Sequence, residues 1–285
     1  MLASAQSEIK SASFIGEEHW SSDDLSSCES LGAENASLSC YSRVIKYQRL
    51  HLEVLNEDPI LLVFRDFITE QDINVFLEEI RQDEQLPLQV VDTEPESLAY
   101  KDDTHRRANG SFIQHYAFTG VSRIFRHAKA MLPFLNLDNS ESWQILSYQP
   151  GGHYTPHTDY IIYTSEKQWD DLTKKWGNRF ATFLLVLQSA EEGGGTVFPK
   201  LNKTVRVSPG DAIFWTNMNA DGEVDYASLH GGCVVHKGEK IAAVLWLRAK
   251  DQDLLQSPLS NGKLDINKLI NPDLSFLGMS PIYSR

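Results

Sequence analysis

Tyr148-Gln-Pro-Gly-Gly-His-Tyr154-Thr-Pro-His157-Thr-Asp159 sets an imidazole and a carboxylate two positions apart in what reads as a strand. In extended backbone, positions i and i+2 share a face, so His157 and Asp159 suit a single metal ion. A chain with nine histidines produces such a pair by chance, and a histidine bonded at the surface is the ordinary reading of one alone. The downstream segment His230-Gly-Gly-Cys-Val-Val-His-Lys-Gly-Glu-Lys240 offers the third ligand. Two imidazoles and one carboxylate form the facial set associated with non-haem Fe(II) oxygenases. Three ligands on one face leave adjacent positions free for a bidentate cosubstrate and O2. Zinc hydrolysis is the competing metal chemistry, and it gives the rest of the pocket no task.

Lys240 opens the strand Ile241-Ala-Ala-Val-Leu-Trp-Leu-Arg248. The period of two places Lys240, Ala242, Val244 and Trp246 on one face. A lysine on an apolar inner face needs a counter-charge, because burying an unpaired ammonium is costly. A small dicarboxylate would supply it. Thr182, inward on Phe180-Ala-Thr-Phe-Leu-Leu, and Tyr148 could add hydroxyls. A turn lysine reaching solvent is the plainer reading of Lys240 taken alone.

Around this site the chain reads as one soluble domain. It has 285 residues, of which 41% are hydrophobic and 10% aromatic, enough for a substantial core. A formal net charge of −13 argues against a nucleic-acid partner, which calls for a basic face. No apolar run reaches the ~20 residues of a membrane span. Residues 1–42 are rich in Ser, Glu and Asp and are expected to form a poorly ordered arm, with at most one short helix. Pro59-Ile-Leu-Leu-Val-Phe64 reads as a buried strand. Thr69 and Asp72 cap a helix whose stripe is Ile73, Phe76, Leu77 and Ile80. A second helix is expected over Val121–Leu132, ended by Pro133. After Trp143 come short strands at 144–148, 180–188, 204–207, 212–216, 232–236 and 241–248, separated by Gly, Pro and Asp turns. Two helices followed by many strands predict an α+β domain built on an antiparallel barrel or sandwich. The domain is placed over 43–250, with a mostly irregular tail at 251–285 packing back on it.

The order Tyr148…Gly-Gly-His-Tyr154-Thr-Pro-His157-Thr-Asp159…Asn178-Arg-Phe-Ala-Thr182…Glu192-Gly-Gly-Gly-Thr-Val-Phe-Pro199…Gly210-Asp-Ala-Ile-Phe-Trp215…His230…Lys240…Trp246 resembles the catalytic domain of prolyl 4-hydroxylases of the collagen and plant-cell-wall type. The likeness runs from about Pro59 to Lys250. It implies a double-stranded β-helix, or jelly roll, with flanking N-terminal helices. It also implies Fe(II) on His157, Asp159 and His230, and 2-oxoglutarate paired with Lys240 and assisted by Thr182 and Tyr148. Tyr154 would contact the substrate proline and Trp246 would line the same pocket. The implied reaction is hydroxylation of peptidyl proline at C4, using O2 and 2-oxoglutarate and releasing succinate and CO2. Ascorbate would keep the iron reduced. Loops around 106–111 and 217–226 would close over a proline-rich or collagen-like peptide. Gly193-Gly-Gly-Thr is not a phosphate loop, since no Gly-Lys-Ser/Thr follows it, and reads as a hairpin turn.

The resemblance further implies the endoplasmic reticulum lumen and protein disulfide isomerase as a partner. The N-terminus does not read as a signal peptide and Pro-Ile-Tyr-Ser-Arg285 is no retention signal, which leaves a cytoplasmic alternative. Cys28 and Cys40 either pair or stay as thiols. Cys233 matches a family cysteine that forms a bridge, yet no cysteine follows it, so it is expected as a buried thiol. Sequons at Asn35, Asn109 and Asn202 decide nothing alone. Two other functions remain open at this level: an oxygenase acting on a different protein substrate, and a non-catalytic binding module that retains the barrel.

Overall fold

The computed structural model describes residues 13–29, 39–82, 89–90 and 104–271. Helix α1 (Ser22–Glu29) precedes a hairpin of β1 (Ser39–Ile45) and β2 (Gln48–Glu57). Lys46 and Tyr47 join the two strands with φ of 48° and 66°, so both central residues of a two-residue turn are left-handed. Then come β3 (Ile60–Arg65), α2 (Glu70–Gln82), β4 (Gln89–Val90), β5 (Arg106–Arg107), β6 (Asn109–Ile113) and α3 (Thr119–Met131). The second half runs β7 (Trp143–Tyr148), β8 (His153–His157), α4 (Asp171–Trp176), β9 (Arg179–Gln188), β10 (Glu192–Gly193), β11 (Thr196–Phe198), β12 (Lys203–Val205) and β13 (Ala212–Thr216). It ends with β14 (His230–Gly232), β15 (Val235–Lys237), β16 (Lys240–Arg248), α5 (Asp253–Gln256) and α6 (Asn267–Ile270).

Nine strands form the major sheet in the order β1-β2-β3-β13-β9-β16-β7-β6-β4, and five form the minor sheet, β12-β11-β14-β8-β5. Alternation decides what each face of the major sheet does. On β16, Ile241, Ala243, Leu245 and Leu247 join the large core with Phe183 and Leu185 of β9 and Trp143 and Ile145 of β7. The α2 and α3 stripes close that core, with Ile73, Phe76, Ile80, Val121, Ile124, Phe125 and Ala128 all buried in it. The intervening residues, among them Leu146, Tyr148, Val244 and Trp246, face the other way and form a separate cluster toward the minor sheet. The functional cavity lies there.

Helix α2 begins as expected: the Asp72 amide donates to Thr69 Oγ1 and the Thr69 hydroxyl donates to Asp72. Its far end serves α3. Glu79 accepts from the backbone amides of Gly120 and Val121, so a carboxylate of one helix satisfies the exposed donors at the start of the next.

Three expectations change. Within the Ser-rich arm, residues 13–29 pack on the minor sheet: Phe14, Trp20, Leu25 and Cys28 form a cluster with Val197 and Cys233. Cys233 is not a free thiol. It is bridged to Cys28 across 205 residues of sequence, while Cys40 is free and exposed. The Thr204 hydroxyl donates to the Ser27 carbonyl, and His236 meets Glu29 at 3.0 Å. Apolar residues spaced among serines and acids are enough to dock this segment once a covalent tie brings it to the sheet. The strand expected over 232–236 is divided into β14 and β15, which pair in different sheets.

Candidate functional site

The triad is assembled by register. β14 pairs antiparallel with β8, and His230 is the direct partner of His157. Asp159 follows just beyond the end of β8. His157 Nε2 lies 3.6 Å from one Asp159 oxygen, and His230 Nε2 lies 3.4 Å from the other. One ligand atom from each of the three lies within 4.8 Å of the others. Both rings are aimed in the same way. Nδ1 of His157 is 2.8 Å from the Thr155 carbonyl and Nδ1 of His230 is 2.9 Å from the Ser228 carbonyl. Each Nδ1–H therefore donates to backbone two residues earlier, leaving the Nε2 lone pair for a metal.

The electrostatics suit a divalent cation. Burial, reinforced by His230, lowers the His157 imidazole to about 4, so it is neutral at ordinary pH. Burial pushes the Asp159 carboxyl up, but the two imidazoles beside it, His230 foremost, outweigh burial and hold it well below the usual range. Neutral imidazole and ionised carboxylate are the ligand forms a metal requires. An ion of the Fe(II) type fits this donor set.

Two more cross-strand pairs build the rest of the cavity. Lys240 is the partner of Tyr148 across β16 and β7, and Trp246 is the partner of Thr182 across β16 and β9. Lys240 is 7% exposed. Its ammonium reaches the Thr196 hydroxyl at 3.5 Å and sits 5.9 Å from the Tyr148 ring centroid. No carboxylate among the described residues pairs with it. Desolvation lowers Lys240 to about 8, and burial pushes the Tyr148 phenol up to about 12. The cavity that joins Lys240 to the triad is the smaller of two neighbours. A cavity of about 450 Å³ lies behind Lys240 and Thr196, against the Cys28–Cys233 bridge, and none of the triad lines it.

Thr182 lines the cavity that holds Lys240 and is tied to the triad as well. Its hydroxyl donates to Asp159 Oδ2 at 2.6 Å and accepts from the Asn217 amide at 2.9 Å. It braces the carboxylate, and Thr196 is the hydroxyl beside Lys240. Thr196 went unassigned in the sequence because Gly193-Gly-Gly-Thr reads as a turn; its position at the start of β11, facing the cavity, was the available signal. Tyr154 stacks on the His157 ring, with centroids 3.6 Å apart, and Arg106 lies 4.6 Å from the Tyr154 ring centroid. Trp246 lines the same space beneath Arg179, whose guanidinium is 3.5 Å from the ring centroid and is held by Glu141 at 2.6 Å. Neither arginine was singled out by sequence, since an arginine at the start of a strand ordinarily reads as a solvated group.

Residues 143–248 match the model of the 2OG-Fe(II) oxygenase superfamily. The chain is 32% identical over 212 residues to prolyl 4-hydroxylase 1 of Arabidopsis thaliana, covering 70% of this chain and 72% of that one. It is 31% identical over 218 residues to probable prolyl 4-hydroxylase 3 of the same plant, covering 68% and 71%. Prolyl 4-hydroxylase subunit alpha-2 of Caenorhabditis elegans is 30% identical over 220 residues, of which the match spans only 40% of that subunit. Among solved structures, the viral collagen prolyl hydroxylase of Paramecium Bursaria Chlorella virus-1, in its 2OG complex, superposes with a TM-score of 0.50. That match has 23% identity and covers 66% of this chain and 96% of that one. The fold is accordingly an α+β jelly roll.

Proposed function

The chain belongs to the prolyl 4-hydroxylase family of the 2OG-Fe(II) oxygenase superfamily, and from that membership we propose that it hydroxylates peptidyl proline at C4 through the residues of this cavity. The observation that carries the reading is Lys240. A buried ammonium without an acidic partner lines the same cavity as His157, Asp159 and His230. Its missing counter-charge is the distal carboxylate of a small dicarboxylic acid.

In this reading His157, Asp159 and His230 hold Fe(II). Thr182, itself held by Asn217, donates to one Asp159 oxygen, so the carboxylate enters the site in a single orientation. Lys240 binds the distal end of 2-oxoglutarate, with Thr196 and Tyr148 beside it. Tyr154 and Trp246 form the apolar rim against which the proline ring rests, each backed by a guanidinium that fixes its plane. Leu146, Leu184 and Val244 complete walls that keep water out, which strengthens the Lys240–carboxylate attraction. Together the metal, 2-oxoglutarate and O2 supply the oxidising chemistry: one oxygen atom replaces C4–H of proline with C4–OH, and the cosubstrate leaves as succinate and CO2.

Ascorbate as a reductant for the metal, the endoplasmic reticulum lumen as location and protein disulfide isomerase as partner belong to the same proposal. The Cys28–Cys233 bridge supports an oxidising compartment. No helix among the described residues is long and apolar enough to cross a membrane. Incubation with Fe(II), 2-oxoglutarate and a panel of collagen-like and other proline-rich peptides tests the function. Peptide-dependent succinate with a +16 mass shift on proline (one oxygen atom, as this reaction class requires) is expected. Absence of both with every peptide refutes it.

A further inference from the structure

Lys240 is not the only buried cation in this cavity. Arg106 is 6% exposed, and no carboxylate among the described residues pairs with it. Its Nη2 donates to the Gln144 side-chain carbonyl at 3.1 Å, and its Nε is buried without a partner. The guanidinium lies 4.6 Å over the Tyr154 ring, and Tyr154 is its cross-strand partner on β8. Gln144 lies on β7, the strand that carries Tyr148, Arg106 lines the same cavity as both, and Tyr154 packs against the cluster that holds Tyr148. Arg106 therefore touches Tyr154, stacked on His157 at the rim, and Gln144 on the strand whose Tyr148 pairs with Lys240 at the inner end.

We propose that Arg106 is a positioning residue that couples the peptide subsite to the 2-oxoglutarate subsite by holding Tyr154 with its face and, through Gln144 at its edge, the strand that carries Tyr148. This rests on the function proposed above. A planar guanidinium can stack and donate in plane at once, which no other side chain does with a permanent charge. An arginine that is buried, short of an acid and left with one free donor is incompletely satisfied. A dianion arriving beside Lys240 adds the negative potential it lacks and favours one guanidinium placement, and that placement fixes the Tyr154 plane. Movement is local, because β5 is a two-residue edge strand with β8 as its neighbour in the minor sheet. Such coupling is reciprocal: each ligand tightens the other by the same factor.

The test is a binding cycle on Mn(II)-loaded protein without O2. It measures the affinity of a poly-L-proline peptide and of a Pro-Pro-Gly repeat peptide with and without N-oxalylglycine, a non-reacting 2-oxoglutarate analogue. In the wild type the analogue is expected to tighten peptide binding about tenfold. In Arg106→Gln each ligand still binds singly and the factor falls close to one. Arg106→Lys keeps a cation over Tyr154 but loses the fork, so it retains peptide affinity while losing most of the factor. With Fe(II) and O2, both variants release severalfold more succinate per hydroxyproline than the wild type. A factor that stays at the wild-type size in either variant, or that is absent from the wild type, overturns the proposal. A wild type that binds neither peptide and forms no peptide-dependent succinate refutes the proposed function instead.

Discussion

Replacing Lys240 with methionine should make the empty protein more stable and the working protein useless. The ammonium is buried, has no acid beside it, and is lowered by desolvation from 10.5 to about 8. A tenfold change in proton affinity is worth about 1.4 kcal/mol, so keeping this charge inside the fold at neutral pH costs about 3 kcal/mol. Methionine keeps the length of the chain and removes the charge. At about 2 °C per kcal/mol for a domain of this size, the metal-free variant should melt roughly 6 °C above the wild type at pH 7. The advantage should shrink as pH rises from about 8 toward 10.5, because the folded wild type sheds the proton while the unfolded chain still holds it. Added 2-oxoglutarate reverses the order. At a hundred times its dissociation constant it stabilises the Mn(II)-loaded wild type by about 2.7 kcal/mol. The variant gains little, since removing one partner of a buried charge pair weakens binding by about thirtyfold or more. Thermal melts of both proteins, metal-free, with Mn(II), and with Mn(II) plus 2-oxoglutarate, check each step. A metal-free variant less stable than the wild type would show that Lys240 already has a counter-charge. Equal stabilisation of both proteins by 2-oxoglutarate would show that the cosubstrate lies elsewhere.

The same lysine sets a pH dependence. The affinity of the Mn(II) protein for 2-oxoglutarate, read by titration calorimetry, should be level below about 8 and fall about tenfold per pH unit above it; a level profile to pH 10 counts against a Lys240 contact. Thr182→Val leaves Asp159 without its brace and should weaken Co(II) or Mn(II) binding by about 10- to 100-fold. Once the site is saturated with metal, its 2-oxoglutarate affinity should stay near that of the wild type, and an effect only on the cosubstrate would return Thr182 to the role first expected of it. Cys28→Ser opens a loop of 205 residues and should cost roughly 5 kcal/mol by loop entropy. Denaturant unfolding of the oxidised wild type, the reduced wild type and the variant measures this, and a loss under about 1 kcal/mol would mean that packing of residues 13–29 holds the segment without the bridge.

Much of this architecture was legible because it is local. The α2 and α3 stripes, the β16 face and the capping pair Thr69–Asp72 follow from periods of 3.6 and 2 that act on neighbouring residues. The same period put Lys240 and Trp246 on one face before any partner was known. The β1–β2 hairpin was hidden, since Lys46-Tyr47 lacks the Asn-Gly or Asp-Gly that usually marks a turn with two positive φ values.

By itself the sequence determined the kinds of group in the cavity and the faces they occupy: two imidazoles and a carboxylate at metal-ligand spacing, an inward lysine, and aromatic residues on the same strands. Tertiary structure alone decided who meets whom. It set His157 opposite His230, Tyr148 opposite Lys240, Thr182 opposite Trp246 and Tyr154 opposite Arg106. It turned Thr182 to Asp159, left Thr196 beside Lys240, and gave Cys233 a partner in a segment that reads as a loose arm. The physical reason is that periodicity within a strand gives a side chain its direction, whereas its contacts depend on strand register. Register is settled by the packing of residues tens to hundreds of positions apart, and no local pattern carries that information.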